Sequence, residues 1–127
     1  MTDLLTRVLA CYGNPRETAA LILGAWLVDN PEPDGIWNDL AYAVQWRRGR
    51  KRLCNILAIT TPGALLGAVI DFILPKGWII AEMSELPDRT RTFASICGPE
   101  GYEEGAGSTF ATALLAACIK ARNASHE

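Results

Sequence analysis

The C-terminal half of the chain carries an ordered series of start and stop signals that leaves few folds open. Thr60-Thr61-Pro62-Gly63-Ala64 opens an apolar run, Leu74-Pro75-Lys76-Gly77-Trp78 closes it, and two strand-like stretches follow. Gly105-Ala106-Gly107-Ser108-Thr109 then leads into an alanine-rich segment ending Ile119-Lys120-Ala121-Arg122. Thr61 offers a hydroxyl to cap a helix, and Pro62 supplies the φ angle of its first turn. Ala64, Leu65, Ala68, Val69, Phe72 and Ile73 recur at helical spacing, and Pro75 and Gly77 end the helix. Strands are expected at 77–83 and 90–97, linked by Ser84-Glu85-Leu86-Pro87-Asp88. Residues 98–107 read as a long acidic loop. The last helix is expected over 108–123, with Phe110, Ala113, Leu114, Ala117 and Cys118 as its core stripe. Lys120 and Arg122 fall at its end, where the helix dipole favours cations.

The N-terminal half starts with two helices. Leu4, Leu5, Val8 and Leu9 form one face of the first, capped by Thr2 or Asp3 and stopped by Gly13. Asn14-Pro15-Arg16-Glu17 starts the second, with Asn14 as cap and Leu21, Ile22, Ala25 and Trp26 as its apolar face. Asp29 to Gly35 is a loop by composition. Beyond it, residues 40–47 and 53–59 alternate as two strands, joined by a basic turn around Gly49. Four strands with mostly apolar faces need covering on both sides. Helices supply the cover, so the expected fold is α/β (α+β): a helix–sheet–helix sandwich around a four-stranded, mainly antiparallel sheet. One domain is expected over 1–127, with 1–28 a helical extension and 36–124 the sandwich.

Charge and cysteine usage narrow the class further. A net charge of −2 gives no global case for long nucleic acid or an anionic membrane. The N-terminus lacks the pattern of a signal peptide, and no apolar stretch approaches the ~20 residues of a membrane helix. Cys11, Cys54, Cys97 and Cys118 lie at least 21 residues apart, so there is no C-x-x-C motif. Four thiols in apolar runs suit a reducing cytoplasm. Half the residues are hydrophobic, more than two helices and a small sheet need to bury, and a homo-oligomer is therefore expected.

Thr60-Thr61-Pro62 through Trp78, with Leu74-Pro75-Lys76-Gly77-Trp78 entering a strand, resembles a recurrent segment of the phage ABA sandwich family. Gly107 through Arg122 is similar to that family's closing helix, although Phe110 stands where many members have proline. Asp3-Leu4-Leu5-Thr6-Arg7 and Arg16-Glu17-Thr18-Ala19-Ala20 resemble openings of prophage members. The family includes the Thoeris anti-defence sponge, which oligomerises and captures cyclic ADP-ribose-type signals; some members capture cyclic oligonucleotides. The resemblance thus implies a phage or prophage protein in the host bacterial cytoplasm that sequesters a signalling nucleotide, without catalysis and without a cofactor.

Candidate contacts for such a ligand come from the residues. Arg47, Arg48, Arg50, Lys51 and Arg52 hold five of the twelve cations, and arginine forks suit phosphate. Trp46 beside them is placed to stack on a base. A solvated turn that keeps a hairpin edge from aggregating explains the same cluster. Arg89 and Arg91 can join an anion site or simply end a strand. Ser108 and Thr109 lead into a helix N-terminus that offers amides to an anion, and a hydroxyl cap explains them equally. Trp26, Trp37 and Trp78 read as core or interface. His126 is the only histidine, so a Ser-His-Asp triad or multi-histidine metal site is not expected. A protein-interaction module that inhibits a host immune effector, as anti-CRISPR proteins do, is the alternative, and a cyclic-nucleotide hydrolase is the weakest reading.

Overall fold

Residues 3–11, 13–33, 39–85, 91–99 and 101–125 are described by a computed structural model. The elements run α1 (Leu4–Leu9), α2 (Pro15–Asp29), α3 (Leu40–Leu57) and α4 (Pro62–Ala68), the last continued by a π-helical turn over Val69–Ile73. β1 (Ile79–Glu85), β2 (Thr92–Gly98), β3 (Gly101–Gly107) and α5 (Phe110–Ser125) follow. The capping residues act as their chemistry dictates. Asp3 Oδ1 accepts from the Thr6 amide at 2.7 Å, and Asn14 Oδ1 accepts from Arg16 and Glu17 at 2.9 and 3.2 Å. Thr61 Oγ1 accepts from Ala64 at 3.2 Å, with Pro62 in the first turn of α4.

Residues 40–47 and 53–59 are not strands. They belong to one 18-residue helix, α3, and the basic run lies along it instead of at a hairpin tip. Asp39 starts the helix by accepting from the Tyr42 amide at 2.9 Å. Its buried residues are Ala43, Trp46, Leu53 and Leu57, a helical stripe, whereas Val44 between two of them is 40% exposed. Arginine, lysine and leucine are all good helix formers, so nothing in the run interrupts the helix except Gly49. There the helix crosses the Trp26 ring, and a Cβ at 49 would lie 3.1 Å from Trp26 Cζ2. Gly49 is a packing residue, not a turn residue.

The acidic segment before α5 is not a loop. Residues 101–107 form β3, paired antiparallel with β2 from Gly98↔Gly101 to Thr92↔Gly107. β1 pairs antiparallel with the other edge of β2, with a register shift between Ile80 and Glu82. The sheet therefore has three strands in the order β1-β2-β3, not four. Glycine in β3 looks like loop composition, but Gly105 and Gly107 face α5. A Cβ at 105 would fall on the Ala113 carbonyl oxygen and 2.5 Å from the Ala117 nitrogen. Small residues here let a helix backbone lie directly on a strand backbone.

The sheet and helices form an α+β arrangement with α5 at its centre. α5 packs on β2 and β3 on one side and on α1, α2, α4 and the π-helical turn on the others; α3 packs outside them, on α2 and α4. Residues 111–119 of α5 are all buried, as a helix apolar around its whole circumference must be. Val8, Leu21, Ile22, Trp26, Leu53 and Ile96 join it in one core. Among the described residues, helices cover one face of the sheet, the one bearing Met83, Ala94, Ile96 and Gly105, instead of the two faces expected. No helix among the described residues is long and apolar enough to cross a membrane.

Candidate functional site

The N-termini of α2, α4 and α5 meet at one side of the core. Three segments that enter helices, 13–15, 60–63 and 108–111, converge there with the end of β1 and the start of β2. They enclose a cleft of about 400 Å³, inside the size range of small-molecule sites. Pro15, Pro62, Leu65, Leu66, Phe110 and Ala111 give it apolar walls. Thr18, Thr60, Thr92, Ser108 and Thr109 add hydroxyls, and Glu85 is the one ionisable side chain among the described lining residues.

Hydrogen bonding decides what these groups offer a ligand. Ser108 Oγ donates to the Cys11 carbonyl at 2.8 Å, tying the end of α1 to the entry of α5. Thr92 Oγ1 donates to the Gly107 carbonyl at 3.1 Å, and Thr60 Oγ1 to the Ile59 carbonyl at 2.7 Å. Thr109 and Thr112 cap α5 reciprocally: Thr109 Oγ1 accepts from the Thr112 amide at 3.2 Å, and Thr112 Oγ1 from the Thr109 amide at 3.1 Å. These hydroxyls spend their protons within the fold and present lone pairs to the cleft. The donors are backbone amides. In α2 the first turn is closed by Pro15 and by the bonds of Arg16 and Glu17 to Asn14. In α4 and α5, Gly63, Phe110 and Ala111 are first-turn residues whose amides have no intrahelical acceptor, and all three line the cleft.

The rim stores backbone strain. Thr60 has φ 58°, the one non-glycine positive φ among the described residues. For a β-branched side chain this conformation costs about 1–3 kcal/mol, and such strain gathers at binding sites.

The residues singled out from the sequence divide between two places. Ser108 and Thr109 line the cleft. Arg91 is exposed one residue before Thr92, and Arg89 lies outside the described residues, as do Trp37 and His126. Trp46 and the basic run sit on α3, and none of Arg47, Arg48, Arg50, Lys51 or Arg52 lines the cleft. Trp46 is 8% exposed, its ring centroid is 6.0 Å from that of Trp26, and its Nε1 donates to the Asn30 carbonyl at 2.8 Å. The Arg50 guanidinium lies over its ring at 5.7 Å, so little of the indole is left for a base. Arg52 lies over Phe72 at 5.5 Å. The chain's thiols are free, and burial pushes Cys118 up to about 12, which keeps it protonated and unreactive.

Sequence reasoning did not single out Thr18, Thr60, Gly63, Leu66, Phe110 or Thr92 as site residues. The available signal was the recurrence of a capping residue followed by proline, Asn14-Pro15 and Thr61-Pro62, together with Ser108-Thr109: three helix entries that have to meet somewhere. No family model matches the chain, and no curated protein or solved structure matches it.

Proposed function

We propose that this chain is a phage or prophage binding protein that sequesters a host immune signalling nucleotide, of cyclic ADP-ribose type or a cyclic oligonucleotide, in the bacterial cytoplasm and performs no chemistry on it. The observation that carries this reading is that Gly63, Phe110 and Ala111, first-turn residues of α4 and α5, line one cleft together with an apolar wall. A helix N-terminus is a ready anion site, because open amides and the helix dipole both favour negative charge. Leu65, Leu66 and Phe110 give a base or ribose an apolar bed. The phosphate then lies on the entries of α4 and α5, and the basic run on α3 takes no part. Sequestration needs no more than this set of contacts, since Glu85 has no histidine, cysteine or lysine beside it among the described lining residues.

Titration calorimetry with a panel of cyclic nucleotides and ADP-ribose derivatives tests the proposal. Binding to at least one, with the ligand released unchanged on heating, is the expected result. No heat with any of them from a folded sample, or recovery of a cleaved ligand, overturns it. Gly63→Asp locates the site: a Cβ there meets nothing within 4 Å, and an acid suits the first turn of a helix. The variant should fold as well as the parent and bind an anionic ligand at least about tenfold more weakly, because its carboxylate competes for the same amides. Arg48→Ala with Lys51→Ala should leave that affinity within about twofold.

A further inference from the structure

No described helix packs on the face of the sheet turned away from α5. Its rows, read from the register, are Ile79–Cys97–Tyr102, Glu82–Ser95–Glu104 and Ser84–Phe93–Ala106. Ile79 is 63% and Tyr102 51% exposed, and Glu82 and Glu104 are exposed beside them. Tyr102 Oη donates to Glu104 Oε1 at 2.9 Å. The Ser95 hydroxyl acts to lower the Tyr102 pKa, but the bond to Glu104, desolvation and the charges of Glu104 and Glu82 together raise it above 10.0. Two carboxylates thus act on one phenol, and the one ion pair among the described residues, Arg122 with Asp29, lies elsewhere. Lys120 reaches only the Glu104 backbone carbonyl, at 2.9 Å. In the middle row Ser95 is 1% exposed, and its Oγ, near enough to act on the Tyr102 phenol, makes no hydrogen bond of good geometry among the described residues. The strands hold Glu82, Glu85, Glu103 and Glu104 and no lysine or arginine.

α3 is the opposite pole. It carries five cations and no aspartate or glutamate. Arg50 and Arg52 lie over aromatic rings, whereas Arg47, Arg48 and Lys51 are exposed with no ion pair to a described residue. Leu40 and Val44 are 61% and 40% exposed. Positions 40, 44, 47, 48 and 51 fall on one helical stripe, so two apolar side chains and three cations share an exposed face. Helix layers lie 8–10 Å apart, and α5 and then α2 and α4 intervene, which puts α3 roughly 30 Å from the sheet face turned away from α5. It cannot fold back to cover that face.

We propose that the Leu40, Val44, Arg47, Arg48 and Lys51 stripe of one copy docks on the Ile79, Glu82, Tyr102 and Glu104 face of a second copy. The apolar residues of each surface match those of the other, and the charges are opposite. Glu82 and Glu104 stand two strands apart, about 10 Å, a span that the long side chains of Arg48 and Lys51 cover. The docked helix supplies the second cover that no described helix gives the sheet, making a helix–sheet–helix stack between copies. The contact joins different surfaces, so it repeats head to tail into a ring or an open chain. None of the docking residues lines the cleft, so assembly and ligand binding are separable.

Sedimentation velocity across a concentration series, at about 50 mM and about 500 mM salt, tests this on the intact chain. The expected result is an assembly larger than the monomer whose dissociation constant rises at least about tenfold at the higher salt. R48E with K51E, and separately E82K with E104K, should each give folded monomers, checked by circular dichroism. Mixing the two variants should restore assembly, because each then offers the charge the other needs. A monomer at every concentration in low salt overturns the proposal. So does an oligomer indifferent to salt and to both reversals, a failure of the mixed variants to associate, or a positive pole found to hold nucleic acid by its 260 nm absorbance while the stripped protein stays monomeric.

Discussion

α5 and α3 are helices of similar length, 16 and 18 residues, yet they are held in opposite ways. α5 is enclosed on every side, and its contact with β3 is backbone against backbone, permitted by Gly105 and Gly107 on the strand and by Ala113, Ala116 and Ala117 on the helix. α3 is attached along one side by large groups, Trp46 against Trp26 and the buried Leu53 and Leu57, and turns its cations to solvent. Close approach leaves the buried stretch 111–119 of α5 room for one polar side chain, Thr112. One-sided attachment leaves α3 a free face for chemistry. Buried apolar packing is therefore concentrated at α5, and exposed positive charge on α3.

The sharpest way to break this contrast is Gly105→Val. The added carbons collide with the backbone of α5, which has no flexible end to move aside. The variant should lose at least about 4 kcal/mol or fail to fold, as read from urea denaturation. A normal transition would mean that α5 does not lie on β3 as closely as described. Leu114→Ala and Leu53→Ala compare the two helices directly, because both side chains are 0% exposed. Each should cost about 2–5 kcal/mol, with Leu114 near the top of that range because its surroundings cannot close on the cavity, and Leu53 near the bottom because α3 can settle inward. Equal losses would remove the distinction.

Alkaline titration gives a smaller effect. The Cys118 thiol rises from 9.0 to about 12 on burial, so the folded chain holds a proton that the unfolded chain releases. Its stabilisation is whole below pH 9.0 and declines by about 1.4 kcal/mol per pH unit as pH climbs toward 12. Cys118→Ala should flatten that decline in denaturant midpoints taken at successive pH values. Trp46→Phe should have the least effect: it keeps the ring stack and removes the 2.8 Å bond to the Asn30 carbonyl, for a loss of about 1 kcal/mol in the thermal midpoint analysis.

Local signals were enough for the elements whose ends carry their own chemistry. Asn14-Pro15 and Thr61-Pro62 start helices wherever they occur, because cap and proline act on their own turn. The apolar runs ending at Met83 and Cys97 are strands because little else accommodates them. Residues 40–59 and 98–107 were not legible, for one shared reason: a glycine means a turn unless something large lies against it. The Trp26 ring at Gly49 and the α5 backbone at Gly105 come from distant parts of the chain. The alternation of Tyr42, Val44 and Trp46 satisfies strand spacing, and only the burial of Trp46 with Leu53 and Leu57 selects the helix. The candidate site was partly visible, in Ser108 and Thr109, and otherwise hidden because its other walls come from α2, α4 and the sheet.

By itself the sequence determined the caps, the helix starts at 15 and 62, two of the three strands and the clustering of positive charge. Tertiary structure alone decided that three helix entries share one cleft, that the basic run is a helix and not a hairpin, and that β3 exists. The reason is physical. Caps and propensities act over a single turn, whereas the meaning of a glycine or of an alternating apolar residue depends on what packs against it.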